Sequence, residues 1–513
     1  MEYYQFPSLP ILLTFLVFVF MILKFLKTWK TSNPPPGPWK LPLIGNIHQL
    51  GSLPHRRLRD LANKFGPMMH LQVGQVSHIV VSSPETAKEI MKIHDINFAD
   101  RPRLYILKFY NHTDIAFSPY GNYYRQMRKI CSLELLSPKR VQSFRSIREE
   151  EVSNFVRSIS SNAGSSINLT KMLYSLTNDI IARAAFGKKC KDKEAFIQVA
   201  LKIVELGAGF NIPDVFPSNK LVEVLSACGM LSELDKYFPQ GDKILDNIIH
   251  EHRASKAIGK TTDVAGEAEE DLLHVLLNIM DQGNLEVPLT AENIKAVILD
   301  LFIAGTETST TTLEWVISEL LVNPRVLAKA QAEVRQIFDR KGNVVDESGL
   351  HELEYLKLVI KETLRLRPAL PLVVPRECRE SCKINGYDIP VGTRIIVNAW
   401  AMGRDPNYWT EPELFYPERF LGSSIDYKGA NFEFIPFGSG RRMCPGLSFG
   451  IANVELPIAN LLYHFNWKLP NGTKNEDLDM TESFGATVKR KNDIYFIPTL
   501  YHPPPPPPPP PSM

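Results

Sequence analysis

The chain has 513 residues, of which 44% are hydrophobic, 22% charged and 10% aromatic, with a formal net charge of +2. That is the make-up of an ordinary globular protein with ample chain for a large core, which excludes a disordered or fibrous one. The near-neutral balance also gives no sign of a nucleic-acid partner. At the N-terminus, Ile11 to Leu23 are interrupted by a single polar residue, Thr14, and the apolar run reaches from Phe6 to Leu26. This is close to the ~20 residues that cross a bilayer. Lys24, Lys27 and Lys30 follow it and no small-residue cleavage site does, so residues 1–30 are expected to be a retained transmembrane signal anchor with the rest of the chain on the cytosolic side. The expected location is the endoplasmic reticulum membrane, single-pass. The sequons at Asn111, Asn168 and Asn471 are then expected to stay bare, and the six cysteines, which form no disulfide framework, suit a reducing compartment. Pro34, Pro35, Pro36 and Pro38, within residues 31–50, read as a stiff hinge behind the anchor.

Further along, Tyr120 to Arg128 opens a basic stretch with Arg125, Lys129, Lys139 and Arg140. Ala291 to Asn323 is predicted to be one long helix, from apolar spacing at Ile294, Val297, Ile298, Leu301 and Phe302 and a stop at Asn323-Pro324. Its centre, Ala304-Gly305-Thr306-Glu307-Thr308, departs from what a buried helix prefers. A Thr308 hydroxyl bonded back to the Ala304 carbonyl would bend the helix and open a groove there. Glu362 and Arg365 share one helix face at i,i+3, and Pro417-Glu418-Arg419-Phe420 follows. Then comes Pro436 to Gly446, where Cys444 stands in a frame of glycines behind Arg441 and Arg442. Glycines allow the backbone to approach a sulfur closely, the arginines favour a thiolate, and no second or third Cys or His is near enough for zinc. The metal this arrangement suits is haem iron with a single thiolate ligand. Pro503 to Pro511, in residues 501–513, read as an extended polyproline tail with no capacity to pack.

Phe437, Gly440, Arg442, Cys444 and Gly446 match the haem-binding signature of the cytochrome P-450 monooxygenases, and the chain resembles that family from Pro34 to about Pro498. The resemblance implies a mainly α fold with a smaller β region (α+β), a single haem domain over residues 51–500, and haem b with Cys444 as axial ligand. It implies that Ala304 and Gly305 lie over the iron while Thr308 and Glu307 handle dioxygen and its protons. It implies a buried triad of Glu362, Arg365 and Arg419, and a propionate clamp of Arg128, Arg376 and Arg442. Tyr124 stands where the family carries tryptophan, and Arg367 where plant relatives usually carry histidine. The segments that correspond to substrate contacts include Ile106, Phe117, Phe210, Phe302, Leu370, Val373 and Phe484, mostly apolar, as a lipophilic substrate requires. Electrons would come from NADPH through a flavoprotein reductase docking on the basic stretch. The wording of the motifs is most similar to plant microsomal members that hydroxylate terpenoids. Alkaloid or phenylpropanoid oxidation, a non-oxygenating isomerase or dehydratase, and a haem sensor or carrier are the alternatives.

Overall fold

The computed structural model describes residues 19, 33–105, 107, 112–207, 210–218, 220, 224, 230–257 and 270–502. The expected anchor, apart from Val19, and the polyproline tail lie outside them. Among the described residues no helix is long and apolar enough to cross a membrane.

The principal helices are α1 (Pro54–Phe65), α2 (Asn122–Ile130), α3 (Arg145–Ser160), α4 (Leu169–Phe186), α5 (Lys193–Leu206), α6 (Met230–Ala257), α7 (Leu272–Gln282), α8 (Ala291–Val322), α9 (Pro324–Arg340), α10 (Glu354–Leu366) and α11 (Leu447–His464). Among the strands, β1 (Met68–Val73) and β2 (Val76–Val81) form a hairpin around Gly74, whose φ of +60° is the left-handed turn that glycine adopts without strain. Strand β3 (Arg394–Val397) runs parallel to β2 and carries the two-residue strand Arg376–Glu377 on its other edge, completing a four-stranded sheet. Among the described residues, those in helices far outnumber those in strands.

The centre of the helical packing is α8. Its 32 residues span about 48 Å at 1.5 Å per residue. Thr290 caps it, its hydroxyl accepting from Asn293 N while the Asn293 side chain accepts from Thr290 N, and Pro324 forces the chain out after Asn323. The helix is buried along most of its length because α4, α10 and α11 pack around it. Phe302 points into this packing: it stacks on Phe186 at 5.2 Å and meets Phe196 edge-on at 4.7 Å. At Gly305 a β-carbon would sit 2.7 Å from Ile181 Cδ1 of α4, so any larger residue there would have to shift that side chain.

Two ion networks tie the periphery to this core. Glu362, fully buried, accepts from Arg365 Nε and Nη2 at 2.8 Å each, from Arg419 Nε at 2.9 Å and from Tyr416 N at 2.8 Å. Arg365 also donates to the carbonyls of Gly403, Pro412 and Leu414, so a charge buried in α10 orders the loop before the cysteine segment. Arg367 bridges Glu319 of α8 (2.8 Å) and Glu482 (2.7 Å) with its guanidinium over the Trp315 ring. Glu482 in turn accepts from His55 and Arg56, and although burial opposes it, those donors hold its carboxyl far below the usual range.

Candidate active site

Cys444 is presented by a loop that turns back on itself and then enters α11. The loop closes where Cys444 N donates to Phe437 O at 2.9 Å, and Gly446 caps the helix that begins at Leu447. Gly438 and Gly440 both have φ of +70°. At Gly440 the requirement is also steric, because a β-carbon would lie 2.0 Å from Met91 O and 2.8 Å from Asp95 Oδ2. Asp95 fastens the loop from outside: Oδ2 accepts from Arg441 N at 2.8 Å and Oδ1 from Arg376 Nη1 at 2.7 Å, while Arg376 Nη2 donates to Ser439 O. Cys444 is exposed only to an internal cavity of about 390 Å³, whose floor it shares with Phe437, Pro445, Gly446 and Phe449. Burial pushes its thiol pKa up, against the opposing pull of the Gly446 N–H and the Arg128 charge.

Cations line one side of the cavity. Arg442 donates to Ala99 O and Ser118 O and lies 3.6 Å above the Tyr124 ring, with its Nη1 buried and without a partner. Tyr124 donates its hydroxyl to Arg441 O at 2.8 Å, so it braces the cysteine loop and shelves Arg442. Arg128 reaches the same wall and, among the described residues, has no carboxylate partner. Arg101, absent from the sequence-based expectations, donates to the carbonyls of Ala116, Val374 and Pro375, and burial lowers its pKa well below the ordinary value. Arg376 pairs with Asp95 behind the loop and does not border the cavity itself; its Nε is buried and without a partner.

Above the cysteine, Ala304, Gly305, Glu307 and Thr308 line the cavity. Thr308 Oγ1 donates to Ala304 O at 2.6 Å, and Thr312 Oγ1 repeats the bond one turn later to Thr308 O at 2.8 Å. Glu307 is buried and held from α4 and from the turn beyond Phe484: Tyr174 OH donates to Oε2 at 2.7 Å and Thr487 Oγ1 to Oε1 at 2.8 Å. Neither donor is legible from a short motif, since each is well over a hundred residues away in sequence.

The remaining wall is apolar. Phe117, Phe210, Leu370, Val373 and Phe484 all border the cavity; Val373 has a φ of +51°. Ile106 lies outside the described residues. Phe302 does not reach the cavity, because two residues along α8 carry it to the far side; Leu301 and Ile303 border the cavity in its place. One carboxyl interrupts the apolar wall. Asp300 of α8 accepts on Oδ2 from Ile115 N (2.7 Å) and Ala116 N (3.0 Å), next to Asp114, whose Oδ1 accepts from Phe117 N.

These features fit a haem. One sulfur stands alone on the cavity floor, the unpartnered Nη1 of Arg442 and the guanidinium of Arg128 offer donors that suit propionates, and α8 stands opposite with Ala304, Gly305 and Thr308. Comparison with known proteins agrees: the family model "Cytochrome P450" matches residues 34–496, and the chain belongs to that family. It is 52% identical over 97% of its length, and 99% of theirs, to premnaspirodiene oxygenase of Hyoscyamus muticus. It is 53% identical to desmethyl-deoxy-podophyllotoxin synthase of Sinopodophyllum hexandrum (98% of each chain) and 51% identical to salviol synthase of Salvia pomifera (96% and 98%). A zebra fish cytochrome P450 structure with abiraterone superposes with a TM-score of 0.71 at 25% identity, covering 88% of this chain and all of that one. The protein is thus a plant-type cytochrome P450 monooxygenase, related to terpenoid oxygenases.

Proposed function

We propose that the protein hydroxylates a terpenoid, a sesquiterpenoid or diterpenoid, using electrons from NADPH delivered by a flavoprotein reductase. The observation that carries the reading is a mostly apolar cavity closed at its floor by a lone cysteine, taken with relatives named for premnaspirodiene and salviol. The apolar lining contributed by Phe117, Phe210, Leu370, Val373 and Phe484 favours a lipophile over a charged ligand. A second reading, oxidation of a phenylpropanoid-derived substrate, is favoured by the podophyllotoxin synthase at similar identity. The N-terminal apolar run would hold the enzyme on the cytosolic face of the endoplasmic reticulum, and Arg125, Lys129, Lys139 and Arg140 would meet an acidic reductase surface. Of these, Arg140 is already engaged with the carbonyls of Glu134 and Glu270, whereas Arg125 and Lys129 are exposed.

When bound, haem supplies dioxygen activation and the redox chemistry that inserts one oxygen atom into a C–H bond. The chain's residues do the rest. Cys444 supplies the thiolate, and Gly438 and Gly440 let the loop fold tightly enough to present it. Arg128 and Arg442 would hold the propionates of a bound haem, with Tyr124 and Asp95 fastening the loop that carries Arg442. Thr308, whose hydroxyl is turned back on Ala304 O at the cavity wall, could swing that hydroxyl to a ligand or water. Glu307 is the proton reservoir beside it, fed through the hydroxyls of Tyr174 and Thr487. The presence of both groups argues against an isomerase or dehydratase, and a sensor would have no use for them.

The test is NADPH consumption by the purified protein reconstituted with reductase, against a panel of sesquiterpene and diterpene hydrocarbons and their alcohols, with lignan precursors alongside. Substrate-dependent consumption and a product one oxygen heavier are expected from the terpenoids. Turnover restricted to the lignan precursors would overturn the terpenoid assignment. No consumption with any compound, despite a normal haem spectrum, would overturn the monooxygenase role.

A further inference from the structure

The carboxyl of Asp300 is the exception in the upper cavity. It rises from α8 one turn before Ala304, and both backbone N–H groups that reach it, Ile115 N and Ala116 N, land on the same oxygen, Oδ2. Among the described residues Oδ1 has no hydrogen-bond partner, and the residue borders the cavity. No cation neutralises it: Arg101 spends its guanidinium on the carbonyls of Ala116, Val374 and Pro375. Burial, then the neighbouring Asp114, push its pKa well above the carboxylate range, the two N–H donors only partly opposing. A neutral acid whose Oδ2 accepts two N–H bonds carries its proton on Oδ1, which makes the group facing the cavity a donor. Glu307 and Thr308 are engaged within the protein, while Ser309, whose Oγ is buried without a partner, and Arg394 also border the cavity.

We infer that Asp300 is a specificity-determining residue: its Oδ1–H donates to an oxygen already present on the substrate, so the cavity favours a lipophile carrying one hydroxyl or carbonyl over the parent hydrocarbon. A hydrocarbon would leave this donor desolvated and unpaired, which is how a polar group inside an apolar pocket discriminates. The reaction class that must supply such a substrate is an earlier oxygenation of the hydrocarbon skeleton. The inference rests on reading the cavity as the substrate chamber above a haem, not on the terpenoid assignment.

The experiment therefore avoids terpenoids. A chain-length series of 1-alkylimidazoles and the matching terminal alcohols is titrated into the haem-loaded protein, and affinities are read from the nitrogen-ligation shift of the haem spectrum. At the length that brings the hydroxyl to Asp300, the alcohol is expected to gain roughly tenfold in affinity relative to its alkyl partner, the worth of one good hydrogen bond. Asp300→Asn, which can accept on Oδ1 and donate from Nδ2, keeps the preference; Asp300→Leu loses it. If Asp300 only anchors the loop at Ile115 and Ala116, both probes weaken together and their ratio stays constant, which overturns the inference. Should Asp300→Leu fail to load haem, infrared difference spectra of the wild-type protein decide. Alcohol against alkane must shift a protonated-carboxyl band that Asp300→Asn lacks, and an unshifted band overturns the inference equally.

Discussion

Replacing Glu362 with glutamine removes one negative charge from a site shut off from solvent. The carboxylate takes four hydrogen bonds, from Arg365 Nε and Nη2, Arg419 Nε and Tyr416 N, and both it and Arg365 are shut off from solvent. Glutamine keeps the shape but offers one acceptor oxygen, and it leaves the Arg365 guanidinium buried with carbonyl partners alone. Breaking a buried pair in this way costs about 3–5 kcal/mol, with the isosteric change at the low end. For a domain matching residues 34–496, an unfolding entropy of about 2 cal/mol/K per residue gives roughly 1 kcal/mol per kelvin, so the melting temperature should fall by about 3 °C. The assay is thermal unfolding followed by circular dichroism at fixed scan rate, with Glu251→Gln as control. Glu251 pairs with Lys188 at the surface, both side chains nearly half exposed, and its loss should change stability by less than about 1 kcal/mol. A Glu362→Gln midpoint indistinguishable from that of the control would refute the view that this network holds the fold.

Glu314, buried in α8 and bonded to Thr170 Oγ1 at 2.5 Å, has its pKa pushed up to about 7 by burial from an unfolded value of 4.5. The folded state therefore holds a proton that the unfolded chain has released between those values, and stability should fall as pH rises across that window, by up to about 3 kcal/mol. Urea denaturation of wild type and Glu314→Gln between about pH 5 and 8 checks this; the variant should show a flatter profile, and parallel profiles would remove Glu314 as the cause. At Gly440, alanine must both hold φ of +70° and place a methyl carbon against Met91 O and Asp95 Oδ2. Gly440→Ala should therefore lose most of its haem-thiolate signal in the reduced carbon monoxide spectrum while keeping its helical circular dichroism, because the damage is confined to the cysteine loop.

The parts of the site that could be read along the chain are those made by neighbours in sequence. The loop from Phe437 to Gly446 closes on itself through one backbone bond, so its glycines and its cysteine announce it. The Thr308 to Ala304 bond is an i,i−4 contact within one helix, and the Glu362–Arg365 pair is i,i+3. What stayed hidden depends on partners brought together by the fold. Asp95 fastens a loop more than three hundred residues later, Tyr174 reaches Glu307 from another helix, and Asp300 holds a loop nearly two hundred residues earlier. The pairing of Arg376 with Asp95 was hidden for the same reason. Phe302 failed differently: apolar spacing shows that a residue is buried, but not whether it faces protein or a cavity, and Phe186 and Phe196 settle that.

Helix α8 shows why one element bears so many roles. At about 100° per residue, Asp300, Ala304 and Thr308 follow one another along a single stripe, each a turn beyond the last, and all three border the cavity. Glu307 and Glu314, seven residues apart, sit to one side of that stripe and meet Tyr174 and Thr170 of α4. Phe302 lies about 160° from Ala304 and seals the opposite side. The period of the helix thus sorts its polar residues onto separate faces without any loop or hinge. The same rigidity constrains change: shifting the register of α8 by one residue would turn Asp300, Thr308 and Glu307 away from their present partners together.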